Sequence, residues 1–342
     1  MQKPFSDLSQ RGQVRRLTEL AQSALKAYAL EDTRLALLAH LWNTTFRVLT
    51  PHGDRYLLRI HHPDQASVEV VCSELLWLSA LRQEANLPVP QPVRNKEQHL
   101  VTVVTTSDVA QPRLCVLFRW VDGRFFDRGL TSAHLFQVGD LMARLHDHTA
   151  HWERPAGFSR KRVDSLNPAL HRRDDGFDEA VAAEAIRTVS EVSTSEMGVV
   201  VAEAIRRVWC VVRTLGQAPE VFGLIHGDLH QWNYLFHRGA AGAIDFDDCG
   251  YGHWLYDLAV TLTELDGHHP HYPALRQSLL AGYRRRRALS VEHENYLNTF
   301  MALRRLQNVL GIFEERNHPA FRDTWQARVA GELRRLQVFV SE

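Results

Sequence analysis

The 342-residue chain is 45% hydrophobic and 23% charged, a globular composition long enough for two lobes. Forty basic residues balance forty acidic ones with no long basic tract, which excludes electrostatic capture of nucleic acid by the protein as a whole. No apolar run reaches the roughly 18 residues that span a bilayer, and Met1-Gln2-Lys3-Pro4-Phe5 opens no leader with an apolar core and cleavage site, so no membrane partner is expected.

Cys72, Cys115, Cys210 and Cys249 are scattered without paired-thiol spacing. They are expected to be reduced and buried, in a cytoplasmic monomer or homodimer. In chain order, residues 13–28 show helical spacing of Val14, Leu17, Leu20, Ala21, Ala24 and Leu25. Strands are predicted over 34–40, 45–50 and 55–61, the last two joined by the turn Pro51-His52-Gly53-Asp54. A helix over 67–82 places Val71, Leu75, Leu78 and Leu81 on one side, and the run Pro88-Val89-Pro90-Gln91-Pro92 stops it. Strands over 100–105 and 113–120 complete five before the break at Asp122-Gly123.

From Thr131 the pattern is mainly helical, with the stripe Leu135, Val138, Leu141, Met142 and Leu145 and a long helix over 195–215. The polar span 151–180 reads as loop with short helices. Leu235-Phe236 and Ala243-Ile244 read as a tight hairpin, followed by helices from Trp254 to near the end. The run Arg284-Arg285-Arg286-Arg287 is either a solvated helix end or an anion contact. His61-His62 and His268-His269-Pro270-His271 lack acidic or thiol partners at a motif spacing and read as surface histidines.

The hairpin carries the informative segments: Leu224-Ile225-His226-Gly227-Asp228-Leu229-His230-Gln231-Trp232-Asn233, then Ile244-Asp245-Phe246-Asp247-Asp248. Each polar residue alone could simply cap a turn. Together they set one carboxylate (Asp228) to orient and deprotonate an alcohol and two oxygen ligands (Asn233 and Asp245) for magnesium on a nucleotide, which is the equipment of phosphoryl transfer. His226 serves this loop through a ring nitrogen, as scaffold rather than as a reacting group.

The pattern His-x-Asp-x-x-x-x-Asn, followed by a hydrophobic-Asp-Phe-Asp step, resembles that of the aminoglycoside phosphotransferase and choline kinase family. The resemblance covers nearly the whole chain. It implies an α+β, bilobal protein-kinase-like fold: an N-terminal nucleotide-binding lobe over 1–120, with a helix and a five-stranded antiparallel sheet, and a C-terminal helical lobe over 121–342. It implies ATP or GTP between the lobes, with Mg2+, and a small-molecule hydroxyl as acceptor. By resemblance Asp228 is the base, Asn233 and Asp245 hold metal, His226 supports the loop, and Asp257 braces it from a helix start. Leu141-Met142-Ala143-Arg144-Leu145-His146 matches the first large-lobe helix. Asn43 and Thr44 stand at the phosphate-covering hairpin. Arg59 takes the place of the phosphate-binding lysine, with Glu74 as its partner, and Arg119, Trp120 and Val121 match the hinge that meets the base.

The chain departs from the protein-kinase pattern at four points. There is no glycine-rich phosphate loop. Asp247 replaces the glycine of Asp-Phe-Gly, and either adds a third carboxylate near the metals or caps a turn. Gly227 replaces the arginine of His-Arg-Asp, and only eleven residues separate Asp245 from Asp257, too few for a phosphorylated activation segment. A small acceptor is therefore expected. A compact bacterial stress-response-type Ser/Thr protein kinase, or a catalytically weak nucleotide-binding regulator, are the alternatives. Glu264 and Asp266 are candidates for holding an acceptor amine, and Arg304, Arg305 and Asn308 for a carboxylate or phosphate.

Overall fold

A computed structural model describes residues 3–30, 32–63, 67–126, 129–166 and 179–342. The chain divides into two compact units, one of residues 1–122 with 154–159 and one of 123–153 with 160–342. The polar span expected as loop falls partly on residues 167–178, which lie outside the described residues.

The first unit is built on helix α1 (Gln10–Lys26) and six strands, β1 (Arg34–His40), β2 (Thr44–Leu49), β3 (Arg55–Ile60), β4 (Gln91–Val93), β5 (Thr102–Thr106) and β6 (Val109–Arg119), with α2 (Val68–Gln83) inserted after β3. All pairings are antiparallel, in the order β1-β2-β3-β6-β4 with β5 also on β6. The expected sheet of five strands thus has a sixth. Gln91–Val93 was hidden by Pro92 and the prolines before it, and it lies at the sheet edge, where a residue without an amide donor is tolerated. The apolar stripe of α1 packs Leu17, Leu20, Ala21, Ala24 and Leu25 against Phe46, Val48, Leu58, Ile60 and Leu117 of the sheet. Side-chain oxygens of Ser9 and Ser67 accept from backbone amides of the first turns of α1 and α2, which is why both helices start where they do.

The second unit contains helices α3 (Ser132–His151), α4 (Glu179–Val192), α5 (Ser195–Leu215), α6 (Trp254–Leu265), α7 (Tyr272–Arg284), α8 (Val291–Asn295), α9 (Leu297–Glu314) and α10 (Trp325–Ser341). Two small antiparallel ladders stand among them. Strand β7 (Phe222–Ile225) pairs β10 (Gly250–His253), and β8 (Tyr234–His237) pairs β9 (Ala240–Ala243). The β8–β9 hairpin follows the expected position; the β7–β10 pairing was not anticipated. Thr131 opens α3 with a capping box shared with His134. Helices α3 and α7 approach through glycine: a Cβ on Gly139 would lie 2.0 Å from the Leu279 carbonyl oxygen, and one on Gly282 would lie 2.0 Å from that of Phe136.

None of the four cysteines is in a disulfide, and they are not all buried. Cys115 and Cys249 are, Cys72 is half-buried, and Cys210 is exposed on the outer face of α5. The arginine run closes α7 on carboxylates of its own unit, with Arg284 on Glu294, Arg286 on Asp140 at 2.7 Å and Arg287 on Asp147 at 3.0 Å. No helix among the described residues is long and apolar enough to cross a membrane.

Replacing Gly282 by alanine is expected to cost about 1–3 kcal/mol, because the methyl group meets backbone rather than a movable side chain. Chemical denaturation of the variant beside the parent protein measures this directly.

Candidate active site

The segment His226–Asn233 leaves β7 and enters β8, while Ile244–Cys249 links β9 to β10, so the two ladders frame both motif segments. Their register brings the segments together: the Ile244 amide donates to the Asn233 carbonyl at 2.9 Å, placing Asp245 next to the start of β8. Asp245 is exposed and adopts a left-handed backbone, φ 65°. Gly227 is also left-handed, φ 82°, and a Cβ there would lie 2.7 Å from the Asp248 carbonyl oxygen. That crowding explains why glycine stands where protein kinases carry arginine.

Asp257, in the first turn of α6, is fully buried and orders the segment. Its Oδ1 accepts the Gly227 amide at 2.8 Å, and its Oδ2 accepts the His226 amide at 3.0 Å and His146 Nε2 at 3.0 Å. Since a carboxylate can only accept, His146 carries its proton on Nε2, leaving Nδ1 to receive the Tyr283 hydroxyl at 2.9 Å. Burial drives the His146 pKa below its ordinary value, although the Asp257 carboxylate works to raise it. Burial likewise works to raise Asp257, but the His146 and Gly227 hydrogen bonds hold it below the ordinary carboxylate value. His226 is fixed in the same way: its Nδ1 accepts the Asp228 amide at 3.3 Å and its Nε2 donates to the Ile244 carbonyl at 3.0 Å. Nε2 thus ties this segment to the Ile244 segment, while Nδ1 braces the turn of its own.

The Asp228 side chain is 20% exposed, enough to be reached by a hydroxyl. Oδ1 receives the Arg304 guanidinium from α9. Oδ2 faces Asn233 Nδ2 at 3.2 Å and His230 Nε2 at 3.3 Å. Burial works to raise the Asp228 pKa, but Arg304 and His230 together hold it below the ordinary value, so the carboxylate is ionised. Asn233 Nδ2 also donates to the Asp228 carbonyl at 2.9 Å, which commits the nitrogen inward and turns the amide oxygen away from that bond. Asp247 sits in a turn closed by the Cys249 amide on the Phe246 carbonyl at 3.0 Å, and its own carbonyl is held by Arg160. Among the described residues no group of three or more His, Cys, Asp or Glu side chains forms a metal cluster. One asparagine oxygen and one exposed carboxylate fit magnesium, which keeps waters and takes phosphate oxygens to complete its shell.

In the first unit, Arg59 on β3 and Glu74 on α2 form a buried ion pair, Nη2 to Oε2 2.5 Å, with the guanidinium 5.1 Å from the Phe118 ring centroid. Thr44 opens β2 with its hydroxyl on His40 Nδ1 at 2.8 Å, and the Asn43 carbonyl closes the preceding turn on the Leu41 amide at 3.2 Å. Arg119 ends β6, opposite Tyr56 and Gln91. The Trp120 amide, one of the expected hinge donors, is committed to the Arg55 carbonyl at 3.2 Å.

The acceptor-holding candidates divide. Arg305 binds Asp266 at 2.7 Å and Glu332 at 2.6 Å, and Asn308 binds Glu332 at 2.9 Å. These three are engaged in fastening α9, and Arg304 faces Asp228 instead of a ligand. Glu264 on α6 stays half-buried, close enough for its charge to act on His230, Tyr234 and Arg304. The exposed rings of Phe125 and Trp232 lie 6.1 Å apart beside the Asp228 segment. His146, His230 and the ion pair of Arg304 with Asp228 were not foreseen. The histidine two places after Asp228 was visible in the sequence, whereas His146 is separated from its partner by 111 positions.

The sequence profile of the Phosphotransferase enzyme family matches residues 34–292. A homoserine kinase of Pseudomonas aeruginosa is 28% identical over 73% of this chain and 72% of its own. The chain spans about two thirds of the length of the curated relatives it matches, between 66% and 72%. Among solved structures, a microcompartment-associated aminopropanol kinase superposes with TM-score 0.80 at 29% identity, covering 95% of this chain and 98% of that one. An amicoumacin kinase, hAmiN, in complex with AMP-PNP, Ca2+ and Ami superposes with TM-score 0.76 at 20% identity, covering 96% of both.

His146 gives a pH test. Its folded pKa lies below the ordinary 6.5, so on acidification through 6.5 the unfolded chain takes a proton that the folded chain refuses, and stability falls. The thermal midpoint is expected to decline from about pH 7 to about pH 5, and to decline less steeply in His146→Gln, which cannot titrate.

Proposed function

This chain belongs to the phosphotransferase enzyme family and is a kinase acting on a hydroxyl of a small molecule; we propose that it uses ATP and Mg2+ and that its acceptor is a short amino alcohol. The observation that carries this reading is Asp228: an ionised, partly exposed carboxylate beside an asparagine whose amide nitrogen is turned inward.

In the proposed reaction Asp228 Oδ2 accepts the hydroxyl proton as the acceptor oxygen attacks the γ-phosphorus. The bond from that phosphorus to the β,γ-bridging oxygen breaks, and ADP leaves. Asn233 and Asp245 would hold the metal, whose charge when bound offsets that of the phosphates. Asp247, as a turn residue, is left out of that set. Arg59 is the phosphate-binding cation, held by Glu74, and a guanidinium can grip phosphate oxygens through its fork. Glu264 is the group suited to an acceptor ammonium, its carboxylate lying close to Arg304 and His230. The homoserine and aminopropanol kinases, by name, act on molecules that carry both amine and hydroxyl, which supports this acceptor class. GTP is tested beside ATP. A protein kinase with an activation segment is disfavoured, because residues 246–256 are taken up by a turn, β10 and the first residues of α6.

The test is single-turnover transfer from labelled ATP with Mg2+ to aminopropanol, homoserine, choline, an aminoglycoside and a generic protein. Label on an amino alcohol is expected; label on protein alone would reverse the assignment. Asp228→Asn is expected to lower turnover about 10²–10⁴-fold with ATP affinity nearly intact. Asp245→Ala is expected to abolish activity together with its magnesium dependence, as read by metal titration.

A further inference from the structure

We propose that Arg304 is a positioning residue of the transfer site: a guanidinium supplied by α9 that fixes the Asp228 carboxylate, making the C-terminal helical layer part of the catalytic apparatus. The inference rests on the reading of Asp228 as the base.

Arg304 Nη2 donates to Asp228 Oδ1, and the arginine side chain is 12% exposed. Nη1 points at the Tyr256 hydroxyl, 3.5 Å away. That hydroxyl donates to Gln307 Oε1 at 2.5 Å, and Gln307 Nε2 donates to the Val163 and Ser165 carbonyls at 2.9 and 2.6 Å. Gln307 lies three residues beyond Arg304 on the same helix, so both face one way. Tyr256 and Gln307 are themselves buried. The guanidinium is therefore held from behind by a chain of fixed groups and delivers one charge-assisted hydrogen bond forward.

The two Asp228 oxygens are treated unequally. Oδ1 is pinned by this cation, while Oδ2 has only the longer contacts to Asn233 and His230 and is the oxygen left for an acceptor hydroxyl. A role for Arg304 in binding an acceptor carboxylate fits poorly. Its Nε is buried without a hydrogen-bond partner, Nη2 is on Asp228 and Nη1 is turned to Tyr256, so no two-donor edge is open to a ligand. Misplacing a reacting group by about 1 Å can cost about 10²-fold in rate, which sets the scale expected of such a clamp.

The experiment measures kcat and KM for labelled ATP with Mg2+, with aminopropanol, homoserine or water as the phosphoryl acceptor. Four proteins are compared: parent, Asp228→Asn, Arg304→Met and the double variant. Arg304→Met is expected to lower kcat about 10²-fold with little change in either KM. The double variant is expected to be no slower than Asp228→Asn alone, because a clamp on a missing carboxylate has nothing to hold. A rise in KM at unchanged kcat, multiplying losses in the double variant, or an unchanged kcat would each overturn the proposal. Normal turnover in Asp228→Asn would instead remove the base assignment. If Arg304→Met does not fold, Arg304→Lys and Tyr256→Phe take its place. The lysine keeps the charge but not the fork, and the phenylalanine removes the support behind the arginine. Each is expected to lower kcat relative to the parent, by less than about 10²-fold, at unchanged KM, and unchanged kcat in both overturns the proposal.

Discussion

A single buried carboxylate, Asp257, sets the backbone from which the rest of the site is hung. Both its oxygens are used, accepting two consecutive amides of the Asp228 segment and the ring of His146. An ionised group with no exposure is tolerated only when donors surround it. Here the donors are the amides whose direction decides where Asp228 points. His226 extends the constraint to the second motif segment through the Ile244 carbonyl. The register of β8 and β9 then fixes where Asn233 and Asp245 start. The chemistry-bearing side chains thus inherit their places from backbone hydrogen bonds that themselves touch no substrate.

Charge is handled differently in the two units. In the first, Arg59 and Glu74 are both almost fully buried, so losing either partner would strand the other as an uncompensated buried charge. An arginine there is always charged, so Glu74 directs the cation without needing to keep it protonated. In the second, Asp228 is only partly buried and meets its counter-charge on one oxygen. The first arrangement suits a fixed cation for a polyanion, and the second suits a carboxylate that must exchange partners during a reaction.

The motif segments were legible because their chemistry lies in short offsets along one stretch of chain. The strands expected over 34–40 and 55–61 and the helix expected over 195–215 were legible, to within a residue, because their apolar periods were undisturbed. β4 was missed because Pro92 and the prolines before it read as a stop, which is right for a central strand and wrong for an edge. The β7–β10 ladder escaped notice because Gly250-Tyr251-Gly252 shows no alternation and its partner lies 25 residues upstream. Asp266, Arg305 and Asn308 looked like ligand contacts because sequence reveals charge but not its partner. Only folding shows that α9 and α10 satisfy them internally. Arg304 was noticed for its charge, and its partner Asp228, 76 positions away, could not be read from any local pattern.

The close approach of α3 and α7 reaches further than packing. Gly282 immediately precedes Tyr283, and Gly139 lies two turns before His146 on the facing helix. The spacing that the glycines permit is therefore the spacing across which the tyrosine hydroxyl reaches the imidazole. Divergence that thickened this helix contact would lengthen that reach and slacken the histidine on which Asp257 leans. Two residues without side chains thus act as a gauge for a hydrogen bond that neither of them makes.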